Sequence, residues 1–222
     1  MRNINVMFTG DSVTDGGHLR PLGLGMGTLG DSYVSTIFCV NFAKNPVSRI
    51  QFYNSATSGD TSRLLKERWD TSVLITPVDY LFIMIGVNDC WRNFDCLPTV
   101  DTAPSVTEYR ENMVNLIERT IAFGAKPVLV SPYHLETDHS DPMRAMCDQL
   151  NTILRELAET YHLHYVDVQG AMDDWANKAH SSYYISGDRV HPKAIGKYVI
   201  ANAIMESDAW KEILDLESQL EK

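Results

Sequence analysis

Three residues far apart in the chain carry the functional groups of nucleophilic catalysis. Ser12 follows Gly10 and Asp11 at the end of the apolar run Ile4 to Phe8, and Asp188 and His191 stand near the other end in Asp188-Arg189-Val190-His191-Pro192. A serine hydroxyl is a weak nucleophile at neutral pH until an imidazole takes its proton, and the imidazole works best when a carboxylate fixes its tautomer. Two other segments offer what such chemistry also needs, donors for a transient oxyanion: Gly59 in Asn54-Ser55-Ala56-Thr57-Ser58-Gly59-Asp60, and Asn88 in Gly86-Val87-Asn88-Asp89. On this reading Ser12 attacks, His191 moves the proton and Asp188 orients His191. The Ser12 and Gly59 amides and the Asn88 side chain hold the oxyanion. Trp91, Arg92, Tyr183 and Tyr184 lie close to these blocks in sequence, and Trp91, Arg92 and Tyr184 are the candidates for substrate contact.

Each of these residues has a plainer reading when taken alone. Ser12 and Asp11 are both favoured helix caps, and Asp188 with His191 would serve as a surface ion pair at a helix start. Aromatic residues fill cores as readily as they line clefts. What separates the readings is whether one fold brings the four blocks to one place.

The elements that would do so are legible as short apolar runs separated by longer amphipathic stretches, the pattern of strands and helices alternating around a parallel sheet. The strand-like runs are Ile4 to Phe8, Ile50 to Tyr53, Tyr80 to Ile85, Pro127 to Val130 and His164 to Val168. Helical spacing runs through Ser105 to Phe123, with Gly124 as a C-cap, and through Ala145 to Tyr161. Pro192 is expected to open a further helix, and Trp210 to Leu220 reads as a terminal amphipathic helix whose apolar positions would pack on the domain or on a neighbouring subunit of a homo-oligomer. Gly16 to Gly30 reads as a long loop. In an open parallel sheet ligands collect outside the carboxyl ends of the strands, which is where Ser12, Gly59 and Asn88 fall.

The 222 residues suit one domain. The net charge of -10 argues against a surface built to neutralise phosphates, so nucleic acid is excluded as a partner. Cys39, Cys90, Cys96 and Cys147 form no CxxC pair or framework and are expected to be free thiols. With no signal-peptide pattern and no apolar stretch approaching the roughly 20 residues of a membrane span, a cytoplasmic protein without membrane contact is expected. Gly25 to Gly30 formally fits GxGxxG but follows no strand, so no nucleotide role is assigned. His18, His134, His139, His162, His164 and His180 show no metal-ligand spacing, and neither metal nor cofactor is expected.

Gly10-Asp11-Ser12, the Asn54 to Gly59 stretch, Gly86-Val87-Asn88-Asp89 and Asp188-x-x-His191 occur in the order that characterises the SGNH or GDSL hydrolases, which this sequence resembles from residue 4 to about residue 206. The resemblance implies a three-layer α/β/α sandwich of flavodoxin-like order with a mainly parallel five-stranded sheet. It also implies a serine carboxylester hydrolase with Ser12, Asp188 and His191 as triad and Ser12, Gly59 and Asn88 as oxyanion hole. Gly10 to Asp15, Tyr33-Val34, Glu67-Arg68-Trp69, Ile83 to Asp89 with Trp91-Arg92, and Asp141 to Arg144 are similar to the branch that deacetylates xylan and xylo-oligosaccharides. Where that branch carries a tryptophan before the aspartate, this chain has Gly187. The substrate implied is a small-molecule or oligosaccharide ester. Short-chain acyl esterase, lysophospholipase and thioesterase activities remain within the family, and a metal-dependent phosphoesterase or a non-catalytic carbohydrate-binding protein are the readings outside it.

Overall fold

The computed structural model describes residues 2–95, 103–179 and 181–220. Cys96, His180 and the last two positions of the chain lie outside the described residues. The elements in chain order are β1 (Ile4–Gly10), α1 (Ser12–Asp15), β2 (Gly23–Leu24), α2 (Tyr33–Lys44), β3 (Ile50–Asn54), α3 (Ser62–Glu67), β4 (Tyr80–Met84) and α4 (Val87–Trp91). They continue as α5 (Val106–Phe123), β5 (Lys126–Val130), α6 (Pro142–Tyr161), β6 (His164–Val166), α7 (Val168–Ala176), α8 (Ala194–Glu206) and α9 (Asp208–Leu220).

One sheet runs in the order β2-β3-β1-β4-β5-β6. All five expected strands are present and pair in parallel. The sixth, β2, pairs antiparallel to the end of β3 through Gly23 and Leu24; two residues inside a glycine-rich loop carry no period that a sequence reading could detect. Helices α2, α7, α8 and α9 pack together on one side, and α3, α4, α5 and α6 on the other. Both faces of the central strands are therefore covered, which is why Val6, Met7, Phe8, Leu81, Phe82, Ile83, Val128 and Leu129 are all buried. The expected three-layer α/β/α arrangement is the one adopted.

The helix ends follow their caps. Ser105 accepts from Glu108 N, and Gly124 closes α5 in the left-handed region, as expected. Asp141 accepts from Arg144 N with Pro142 in the first turn, so α6 begins three residues before the apolar spacing at Ala145 becomes visible. Pro192, expected to open a helix, does not: it pairs with Ser186 in a bridge, Lys193 N donates to Ile185 O at 2.7 Å, and α8 starts only at Ala194. Val168, read as the end of a strand, begins α7 because the Asp167 side chain caps Gly170 N. Helix α2 was not anticipated, since its buried residues Tyr33, Val34, Ile37 and Asn41 and its other apolar side chains leave no clear polar face.

Helix α9 lays Ala209, Trp210 and Ile213 against the chain's own core. The Trp210 ring centroid stands 5.9 Å from that of Phe52 on β3 and 6.4 Å from that of Phe82 on β4. Among the described residues no helix is long and apolar enough to cross a membrane. Trp210→Ala is expected to lower the free energy of unfolding by about 3 to 5 kcal/mol, the usual cost of emptying a buried aromatic site, and urea denaturation measures it.

Candidate active site

Three of the four blocks sit where β1, β3 and β4 end, at the carboxyl edge of the sheet. Strand β1 passes so close to β4 that a Cβ on Gly10 would lie 2.0 Å from the Met84 carbonyl oxygen, and Gly10 has a φ of +152°. Only glycine leaves room there, and the chain turns at once into α1. Asp11 caps that helix by accepting from Val13 N at 3.0 Å, which makes Ser12 its first residue. After β3 the loop 55–60 brings Gly59 to the same edge with a φ of +88°, again glycine territory. After β4, Asn88 lies in α4, buried, with Nδ2 donating to Asp60 O at 2.9 Å and Oδ1 accepting from Arg92 Nη2 at 3.4 Å. The two contacts fix which way the amide faces, and one Nδ2 hydrogen is left over.

The fourth block arrives from the other end of the chain. The bridge between Ser186 and Pro192 closes a short loop, and Arg189 within it takes a φ of +68°. That loop is docked on the segment after β5: Tyr133 Oη donates to Val190 O at 2.5 Å, Leu135 N donates to Arg189 O at 2.9 Å, and Arg189 pairs with Glu136. Asp188 Oδ1 then accepts from Ser186 Oγ, Val190 N and His191 N at 3.1, 3.0 and 2.8 Å. Its Oδ2 meets His191 Nδ1 at 2.7 Å, and His191 Nε2 meets Ser12 Oγ at 2.9 Å. A carboxylate accepts only, so Nδ1 carries the hydrogen and Nε2 is left to accept from the serine hydroxyl. The side chains of His191 and Asp188 are 46% and 44% exposed, so a solute can reach them.

The surrounding carboxyls differ sharply. Partial burial pushes the Asp188 carboxyl up, but the bonds from the His191 ring, His191 N and Val190 N more than reverse this and hold it at about 2. Burial raises Asp11 to about 7 against the Val13 N–H, with the charges of Asp89 and Asp60 adding to the rise. Burial likewise lifts Asp89 to about 6, although Ser62 Oγ and N both donate to it, at 2.5 and 2.9 Å.

Ser12, His191 and Asp188 thus stand in one cluster, while Asn88 is tied to the Gly59 loop through the Asp60 carbonyl. Trp91 joins them, its ring centroid 5.6 Å from that of His191. Arg92 lies over Trp91 at 5.5 Å, pairs with Asp95 and reaches Asn88. Tyr184 stands apart, 60% exposed on the turn Ser182–Tyr184, and no contact links it to the cluster among the described residues. Residues given no role by their sequence hold the loop around Gly59: Asp15 with Arg20, and Asp60 with Arg68. Their charge was visible in the sequence, but nothing in their spacing announced their pairing.

The raised Asp11 carboxyl makes stability depend on pH. A carboxyl whose folded value is about 7 binds more protons folded than unfolded between about pH 4 and 7, so its contribution to stability falls as pH rises through that window. Asn at position 11 keeps the acceptor for Val13 N without the buried charge. Asp11→Asn is expected to melt at least ~4 °C above the unsubstituted protein at pH 8, with the gap closing toward pH 4, as read by scanning calorimetry.

Comparison with known proteins bears on the whole chain. The model of the GDSL-like lipase/acylhydrolase family matches residues 8–198. An acetylxylan esterase of Geobacillus stearothermophilus is 33% identical over 201 residues, 90% of this chain and 91% of that protein. The crystal structure of Axe2, an acetylxylan esterase from the same organism, matches with a TM-score of 0.87 and 33% identity, covering 91% of this chain and 92% of that one. LAE5, an α/β hydrolase from the metagenome of Lake Arreo in Spain, matches with a TM-score of 0.86 and 34% identity over 91% of this chain and 93% of its own. Structures of Axe2 include catalytic mutants in which a serine, an aspartate and a histidine are each replaced by alanine, the aspartate three positions before the histidine. With a family match over most of its length and a relative this similar from end to end, the chain belongs to the GDSL-like lipase/acylhydrolase family.

Proposed function

We propose that the protein is a serine carboxylester hydrolase that removes acetyl groups from acetylated carbohydrate of the xylo-oligosaccharide type. The observation that carries the reading is the unbroken chain of contacts from Asp188 through His191 to Ser12, with distances of 2.7 and 2.9 Å. The Axe2 catalytic mutants support it, because their serine, aspartate and histidine have the same spacing as Ser12, Asp188 and His191.

Ser12 Oγ attacks the ester carbonyl carbon as His191 Nε2 takes its proton, and Asp188 stabilises the imidazolium that forms. The carbonyl oxygen becomes an oxyanion near three donors: Ser12 N–H, Gly59 N–H and the second hydrogen of Asn88 Nδ2. Among the described residues no acceptor is matched to either amide. Collapse of the tetrahedral intermediate breaks the bond to the sugar oxygen, which leaves with the proton from His191. Water then repeats the sequence on acetyl-Ser12, giving acetate and restoring the serine. Trp91, beside His191, is placed to form a wall for the leaving sugar, with Arg92 over its outer face. Tyr184 is retained as a substrate contact only through its exposure near Asp188 in sequence.

Axe2 has a tryptophan immediately before its aspartate. Gly187 holds that position here, and the nearest atom to a Cβ built on it is Lys193 Cε at 3.8 Å. Only the tip of the Lys193 side chain lies within 4 Å of that Cβ. Among 4-nitrophenyl esters from acetyl to octanoyl, acetyl is expected to give the highest kcat/KM, and acetylated xylo-oligosaccharides should release acetate; a preference for octanoyl would move the assignment to lipase-type chemistry. Ser12→Ala should abolish hydrolysis, and Asn88→Ala should lower kcat by about a hundred- to a thousandfold in steady-state assays.

A further inference from the structure

The Gly59 amide poses a positioning problem. A donor that faces the reacting carbonyl has to be fixed to a few tenths of an ångström, yet the side that faces substrate cannot be packed. Ser58 and Gly59 are both exposed, and a Cβ built on Gly59 meets no atom within 4 Å. No van der Waals wall holds this turn. Its position depends on what grips the residues to either side.

Both grips are carboxylate–guanidinium pairs. On the near side Asp15 Oδ2 accepts from Ser58 N at 2.8 Å, from Ser58 Oγ at 2.6 Å and from Arg20 Nη2 at 2.6 Å. Arg20 Nη1 donates in turn to Ala56 O at 2.6 Å, tying the same loop a second time. On the far side Arg68 Nε donates to Asp60 Oδ2 at 2.5 Å and Nη1 to Ser55 O at 2.6 Å, while Nη2 reaches Gly10 O, the residue from which β1 turns toward Ser12, at 3.4 Å. The Asp60 carbonyl is the one that receives Asn88 Nδ2. The Asp15 and Asp60 carboxylates are buried, at 2% and 7% exposed; Arg68 is shielded with its partner, while Arg20 is half-exposed.

We infer that Asp15–Arg20 and Asp60–Arg68 form a two-sided clamp whose task is to aim the Gly59 N–H and the Asn88 amide at the oxyanion. They are positioning residues acting through Ser58 and through the Asp60 carbonyl, and they touch no reacting atom. Burial pushes the Asp15 carboxyl up, but the two bonds from Ser58 and the Arg20 charge bring it below the ordinary range, so this arm keeps its charge across neutral and mildly acid pH. Guanidinium suits the role because its rigid fork holds a carboxylate and a carbonyl at once, which an ammonium does not. The inference rests on the esterase reading and extends it from the atoms that react to those that aim them.

The test is kinetic, with 4-nitrophenyl acetate and the full chain. Asp15→Asn and Arg68→Met should each lower kcat by roughly ten- to a hundredfold with KM within about threefold of the unsubstituted protein, the signature of an interaction realised in the transition state. Arg68→Lys should restore only part of the loss. A role confined to aiming Asn88 and Gly59 also predicts non-additivity: in an Asn88→Ala background the loss from Arg68→Met should shrink, whereas a general folding defect would cost the same in both backgrounds. Should Asp15→Asn or Arg68→Met fail to fold, the exposed Ser58→Ala and the half-exposed Arg20→Met make the same test, with a kcat loss of about threefold or more expected. Normal kcat in folded Ser58→Ala and Arg20→Met, a raised KM at unchanged kcat, or full additivity with Asn88→Ala would each overturn the clamp. Continued hydrolysis by Ser12→Ala would instead overturn the esterase reading, and the clamp with it.

Discussion

The 2.9 Å contact between Ser12 and His191 joins positions 179 residues apart, and much of the architecture is needed to close it. Ser12 is placed by the central strand of the sheet. His191 comes from a loop that follows the last strand and has no strand of its own. The gap is bridged by docking: the segment after β5 receives the loop through Tyr133, Leu135 and Glu136. The imidazole is thus located relative to the sheet by one backbone hydrogen bond, the Tyr133 hydroxyl and an ion pair, and relative to Asp188 by a loop too short to let the two separate. Most of the helices serve this contact indirectly, by burying the sheet from which both partners are measured.

Aspartate is used in two opposite ways around the same edge. Asp188 is surrounded by N–H donors and stays charged at low pH, as suits the orienting role proposed for it beside His191. Asp11, one residue before the serine, has a single backbone donor and two acidic neighbours and is driven toward neutrality. Below about pH 7 an uncharged Asp11 therefore places no full negative charge beside the Ser12 hydroxyl. The cap and the electrostatics pull in different directions at this residue. The structure keeps the geometry of the cap while the low-dielectric surroundings disfavour the charge.

The core of the fold was readable because parallel strands buried on both faces are continuous apolar runs, and those runs end at the blocks that matter. The convergence of Ser12, Asp188 and His191 was readable for a different reason: each block pairs a chemically distinctive residue with a fixed local spacing. What could not be read were interactions whose two halves carry no mutual signal. Arg68 and Asp60 are eight residues apart and Arg20 and Asp15 five, separations that suit no helical or strand pairing, and only the loop geometry brings them together. Pro192 misled for a related reason. Proline favours a helix start, but the bridge to Ser186 takes it first, and the helix begins two residues later.

The close approach of Gly10 to the Met84 carbonyl has a bearing on how such a site can change over evolution or in the laboratory. The glycine before the Asp11–Ser12 pair is a spacer of zero width between two strands, and any side chain there would wedge the sheet apart at its centre. The height of Ser12 above the sheet is consequently fixed from beneath. New specificity has to be built from above, at positions in the loops after β3, after β4 and before α8 other than those held by the contacts described above, where a change moves no strand.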